Sequence, residues 1–180
     1  MKSFLASVAL ATVTAGFASP TAFADSGRPF QGSFAVAYSG TLNTAAASYC
    51  GAPALPLAIE AHGNGFTSLG ALAFTLFKTA GGGNFHGCLT LTAPDGDTLE
   101  ATYIAGASAP NSNNFAAATG ALTFTGGTGR FKNASGSATL TAIFDNFYVA
   151  SSFAGGGTAT APLQGMAFYE IEGTIRRDKH

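Results

Sequence analysis

From Phe30 onward, apolar residues alternate with small or polar ones on a period of two, the pattern of half-buried strands. Phe30, Gly32, Phe34, Val36 and Tyr38 share one face against Gln31, Ser33, Ala35 and Ala37. The spacing recurs in Leu57, Ile59 and Ala61, in Leu72, Phe74 and Leu76, and in Phe85, Leu89 and Leu91. Leu99, Ala101 and Tyr103 follow, then Leu122 and Phe124, then Ala138, Leu140, Ala142 and Phe144, and last Tyr169, Ile171 and Ile175. That makes eight strands, or nine if the weaker pattern over 147–153 is counted. Turn residues punctuate them at Gly63-Asn64-Gly65, Gly81-Gly82-Gly83-Asn84, Pro94-Asp95-Gly96-Asp97 and Gly126-Gly127-Thr128-Gly129. Glycine, asparagine and aspartate supply the positive φ that tight hairpin turns need.

Strands this closely spaced predict an all-β, antiparallel, up-and-down barrel, because a meander that closes on itself has no unpaired edge. A β-sandwich is the alternative. The weakly patterned stretches, 39–54, 107–114 and 155–162, are loop-sized, so one domain accounts for residues 25–180.

Residues 1–24 read as an address. Lys2 is followed by an apolar run over 4–17 and by Ala22-Phe23-Ala24, small residues at −3 and −1 before Asp25. Gly16, Ser19 and Pro20 break the run short of the ~20 residues a spanning helix needs. The short basic start is of bacterial type, so a signal peptide cleaved after Ala24 predicts secretion or a periplasmic destination. No later run is long enough for a transmembrane helix. The absence of Trp and the ending Arg176-Arg177-Asp178-Lys179-His180 argue against an outer-membrane barrel with aromatic girdles.

Only 9 % of the 180 residues are charged, and the formal net charge is −1. The one basic run is Arg176-Arg177, which excludes the concentrated cationic face a nucleic acid requires. The 47 % hydrophobic content excludes a disordered chain. In an oxidising compartment the two cysteines, Cys50 and Cys88, are expected to pair, worth about 4 kcal/mol in the chain-entropy model for a loop of this length. They lack the close spacing of a zinc site, and no metal or cofactor motif is present.

Candidates for chemistry are few. Glu60 and His62 stand two apart on one strand and so share a face. Inside a barrel they would form a carboxylate–imidazole pair suited to proton transfer. Outside, they are the polar side of a strand whose apolar side is already supplied by Leu57, Ile59 and Ala61, and this placement is favoured. Arg130 has reach into a cavity or across to a carboxylate such as Asp145. Tyr103 is a further candidate, with Tyr49, Glu100 and Asp97 behind it; Glu170 and Glu172 read as a solvated face. No G-x-S-x-G elbow occurs, and the glycines at 126–129 lead into a strand, where a phosphate cradle would need a helix.

Two segments carry a family resemblance. Pro94-Asp95-Gly96-Asp97-Thr98-Leu99 leading to Thr102-Tyr103, and Gly126-Gly127-Thr128-Gly129-Arg130-Phe131 running on to Gly136, resemble bacterial secreted proteins with an allene oxide cyclase-like barrel and, more loosely, dirigent proteins. Thr67-Ser68-Leu69-Gly70 is similar to a turn of that group, with Ser where His is common. The resemblance implies a calycin-like barrel of eight strands around a central cavity. The acidic and arginine positions of the cyclases have no residue-by-residue counterpart here, so activity is not carried over. The expected function is a non-catalytic exported barrel that binds a small apolar ligand or serves as a surface or matrix component. The alternative is a cofactor-free isomerase or cyclase whose cavity shapes a reactive substrate. A polar set inside the cavity, Glu60 or His62 beside Arg130 or Tyr103, would mark the enzyme.

Overall fold

The computed structural model describes residues 27–43, 48–51, 53–113, 115–145 and 163–177. The leader over 1–24 and the patterns over 147–153 and 155–162 lie outside them. Eight antiparallel strands form a closed barrel in chain order: β1 (Arg28–Leu42), β2 (Leu57–Thr67), β3 (Gly70–Gly81), β4 (Asn84–Thr92), β5 (Thr98–Ala107), β6 (Phe115–Gly127), β7 (Ser135–Asp145) and β8 (Leu163–Arg176). Pairing of β1 with β8, from Arg28 opposite Ile175 to Gly40 opposite Leu163, closes the ring and sets the sandwich aside.

The period-two pattern decides which side chains go in. Phe30, Phe34, Val36, Phe74, Leu76, Leu89, Leu91, Leu122, Leu140 and Ile171 all point inward and are buried. Their alternating neighbours, such as Gln31, Ser33, Thr123 and Thr139, face out and are exposed. Removing the apolar set from water is the main drive for closure.

One expected turn is not a turn. Gly63-Asn64-Gly65 lies inside β2, and the hairpin comes later, at Ser68–Leu69. There Thr67 Oγ1 accepts from the Leu69 N–H at 3.0 Å and donates to the Gly70 carbonyl at 2.9 Å. A Cβ on Gly63 would run into the Ala35 carbonyl oxygen, and one on Gly65 into that of Ser33. These glycines let β1 and β2 approach closely; they do not reverse the chain.

The barrel has two unlike ends. At one, the short β2–β3 and β4–β5 turns meet a 3₁₀ turn, Gly129–Phe131, between β6 and β7. Phe131 is fully buried there and Phe30 meets Phe124 edge-on at 5.0 Å, which stoppers that end. The other end carries the longer β1–β2, β5–β6 and β7–β8 connections. Cys50 and Cys88 are joined, as expected of such a pair, with Cα atoms 5.8 Å apart. The bond pins the β1–β2 connection to the outer wall, where Tyr49 stacks on Phe77 at 5.8 Å and Thr79 Oγ1 donates to the Pro53 carbonyl at 2.7 Å.

Candidate functional site

The residues filling the barrel change size along its axis. Toward the stoppered end they are Phe30, Leu72, Leu91, Leu99, Phe124, Phe131 and Ile175, all buried at 3 % exposure or less. Toward the long-loop end the inward positions include Ala80, Gly87, Ala105, Ala116, Ala118, Ala142 and Ala167, interspersed with Leu57, Ile59, Phe85, Tyr103, Phe144, Tyr169 and one lysine. An eight-stranded barrel is just wide enough to be filled by large side chains or to hold one small ligand. Alanine and glycine fill much less of it.

Lys78 stands at the boundary of the two halves. The inward parity of Leu72, Phe74 and Leu76 on β3 continues to position 78, so the lysine points into the barrel and is buried. Its Nζ donates to the Tyr169 hydroxyl at 3.4 Å and lies 4.3 Å from the centre of the Phe85 ring, with Phe144 at 6.0 Å. Among the described residues no carboxylate pairs with it, and burial pulls its ammonium down from 10.5 to about 7. Gly87 on β4 pairs with Lys78 on one side and Tyr103 on the other, so no side chain separates lysine from tyrosine in that row. The Tyr103 hydroxyl is buried, with no hydrogen-bond partner among the described residues. Burial pushes both Tyr103 and Tyr169 upward, so both stay protonated over the whole physiological range. At the rim, the Tyr38 hydroxyl donates to Asp145, at 2.9 Å to Oδ1, and Oδ1 also accepts from the Met166 N–H at 3.1 Å. Burial, with the carboxylate second, raises the Tyr38 phenol as well.

The residues singled out in the sequence are dispersed. Glu60 and His62 lie on the outer wall, about half exposed, with His62 Nε2 2.6 Å from Glu60 Oε1. Arg130 lies at the stoppered end, where its backbone N–H donates to Asp97 Oδ2 at 2.9 Å and its Nη1 is 3.6 Å from Asp95 Oδ2. Its carboxylate partners are thus Asp95 and Asp97, because the β4–β5 turn abuts the 3₁₀ turn, while Asp145 is held at the opposite end by Tyr38. Tyr103 alone among these candidates faces the interior. Glu100, Glu170 and Glu172 face out and are exposed. Sequence reasoning misses Lys78 and Tyr169 as site residues, although the parity of β3 and β8 carries the signal for both.

A second feature lies on the outside. A groove of about 680 Å³ crosses β8, β1, β2 and β3, floored by Ala35, Ala71 and Ala73 and flanked by Phe66 and Phe168. Those two phenylalanines are 78 % and 63 % exposed, which large aromatics seldom are without a partner. Comparison with known protein families, with curated proteins and with solved structures finds no match to this chain. Among the described residues no helix is long and apolar enough to cross a membrane.

Proposed function

We propose that this is an exported, non-catalytic β-barrel that binds a small apolar molecule in the long-loop half of its interior. The observation that carries this reading is the cluster of small inward residues toward the long-loop end, Gly87, Ala105, Ala116, Ala118, Ala142 and Ala167. The interior is packed with buried apolar residues, unlike the polar lumen of a membrane-spanning barrel, and this supports an aqueous setting. Export rests on the leader read over residues 1–24. The allene oxide cyclase-like resemblance is compatible with such a chamber, and the separation of Glu60, His62 and Arg130 from Tyr103 weighs against a cyclase.

The outer groove supports a second reading, a surface or matrix component that works through its wall. One experiment separates the two. Nile red, an uncharged dye, should bind the folded mature protein at one site with a rise in fluorescence. Ala118→Phe should abolish that rise while leaving the far-UV circular dichroism β-type, and Phe168→Ser should leave it intact. Loss with Phe168→Ser and persistence with Ala118→Phe would assign binding to the wall.

A further inference from the structure

We propose that the molecule bound in the barrel carries a carboxylate, seated on Lys78 and Tyr103, with its apolar part lying among the alanines toward the long-loop end. This rests on the interior-chamber reading above and adds the chemical class of the ligand. Two buried donors flank Gly87 in one row, and among the described residues neither is fully matched by an acceptor. Among the described residues Lys78 Nζ has one hydrogen bond, the 3.4 Å contact to Tyr169, and its other neighbours are the Phe85 and Phe144 rings. The Tyr103 hydroxyl has no hydrogen-bond partner among the described residues. A buried polar group left unpaired forfeits its hydration with no return, so an orphan hydroxyl beside a lysine with one long hydrogen bond marks a position completed by something else.

The groups facing Lys78 narrow what that can be. Tyr169 comes from β8, Tyr103 from β5 and Tyr38 from β1, all phenols held protonated by burial. The buried inward residues of β2, β4 and β6, among them Ile59, Phe85, Gly87, Ala118 and Leu122, carry no titratable group. Asp145 on β7 is occupied by the Tyr38 hydroxyl and the Met166 N–H. The site therefore offers a cation and neutral O–H donors with no anion of its own, and a carboxylate supplies both the countercharge and the acceptor lone pairs. A bound carboxylate would also draw the proton back onto Lys78, so the charge pair forms as the ligand enters.

Isothermal titration of octanoate and of 1-octanol, at pH 6 and pH 9, tests this. In the wild-type mature protein at pH 6, octanoate should bind at least tenfold more tightly than octanol, and the preference should shrink at pH 9, where unliganded Lys78 is neutral. Lys78→Met, close in length and uncharged, should remove the preference while octanol binds as before. Tyr103→Phe, which deletes only the orphan hydroxyl, should weaken octanoate by about threefold to tenfold and spare octanol. Equal binding of acid and alcohol in the wild type and in both variants would overturn the carboxylate while leaving the chamber intact. Binding of neither would overturn the chamber itself.

Discussion

A lysine with no carboxylate beside it, sealed among Phe85, Phe144 and Tyr169, makes the stability of the barrel depend on pH. Burial moves Lys78 from 10.5, its value in the unfolded chain, to about 7 in the barrel. Below pH 7 both states hold the proton, and the folded state bears the full cost of the buried charge. Between about 7 and 10.5 the unfolded chain keeps a proton that the folded one has lost, so stability climbs with pH. The phenols turn the curve over. Tyr38, Tyr103 and Tyr169 are raised above their usual 10, so beyond that pH the unfolded chain loses phenolic protons first and stability falls. Urea unfolding without ligand should show a maximum near pH 9, with a gain of about 2–3 kcal/mol over pH 6. Lys78→Met should lose that rise; an equal rise in the variant would place its source elsewhere.

At the scale of elements, the stoppered end is held by two interlocked turns. The Asp97 carboxylate occupies the space a Cβ on Gly129 would need, and it receives the Arg130 N–H. Gly129 itself sits at φ +49°, and Thr98 and Thr128 tie the turns together through the Thr128 N–H to Thr98 carbonyl bond at 2.8 Å. The turn thus serves to aim Phe131 inward. Phe131→Ala should cost roughly 3–5 kcal/mol. Arg130→Ala removes a long, partly exposed ion pair and a face-on contact with Phe131, and should cost no more than about 1 kcal/mol. Thermal melts of the two variants check this order, and equal losses would contradict it.

The alternation of Phe30 to Tyr38 and of Ala138 to Phe144 makes the inward face legible in the sequence, and with it the outward placement of Glu60 and His62. Glycine is where that reading fails: Gly63 and Gly65 look like a turn, because sequence alone does not separate a glycine needed for positive φ from one needed for close approach. Lys78 is legible by parity, but a lone charge near a strand end ordinarily faces water, and that expectation hides it. The approach of Tyr169 to it depends on closure through β1 and β8, and no local pattern encodes that.

On the proposed reading, the barrel is packed at one end and roomier at the other. The Cys50–Cys88 bond ties the β1–β2 connection to the wall at the roomier end. Its removal by Cys50→Ala with Cys88→Ala should cost about 2–4 kcal/mol, read by denaturant unfolding. The central claim is that the long-loop half is an unfilled chamber, and Ala118→Leu tests it most directly. In a fully packed interior the added side chain forces neighbours aside and costs about 1–3 kcal/mol. In a chamber it fills empty space. Scanning calorimetry of the ligand-free variant should show a melting temperature equal to or above that of the wild type, whereas a fall of several degrees would contradict the chamber.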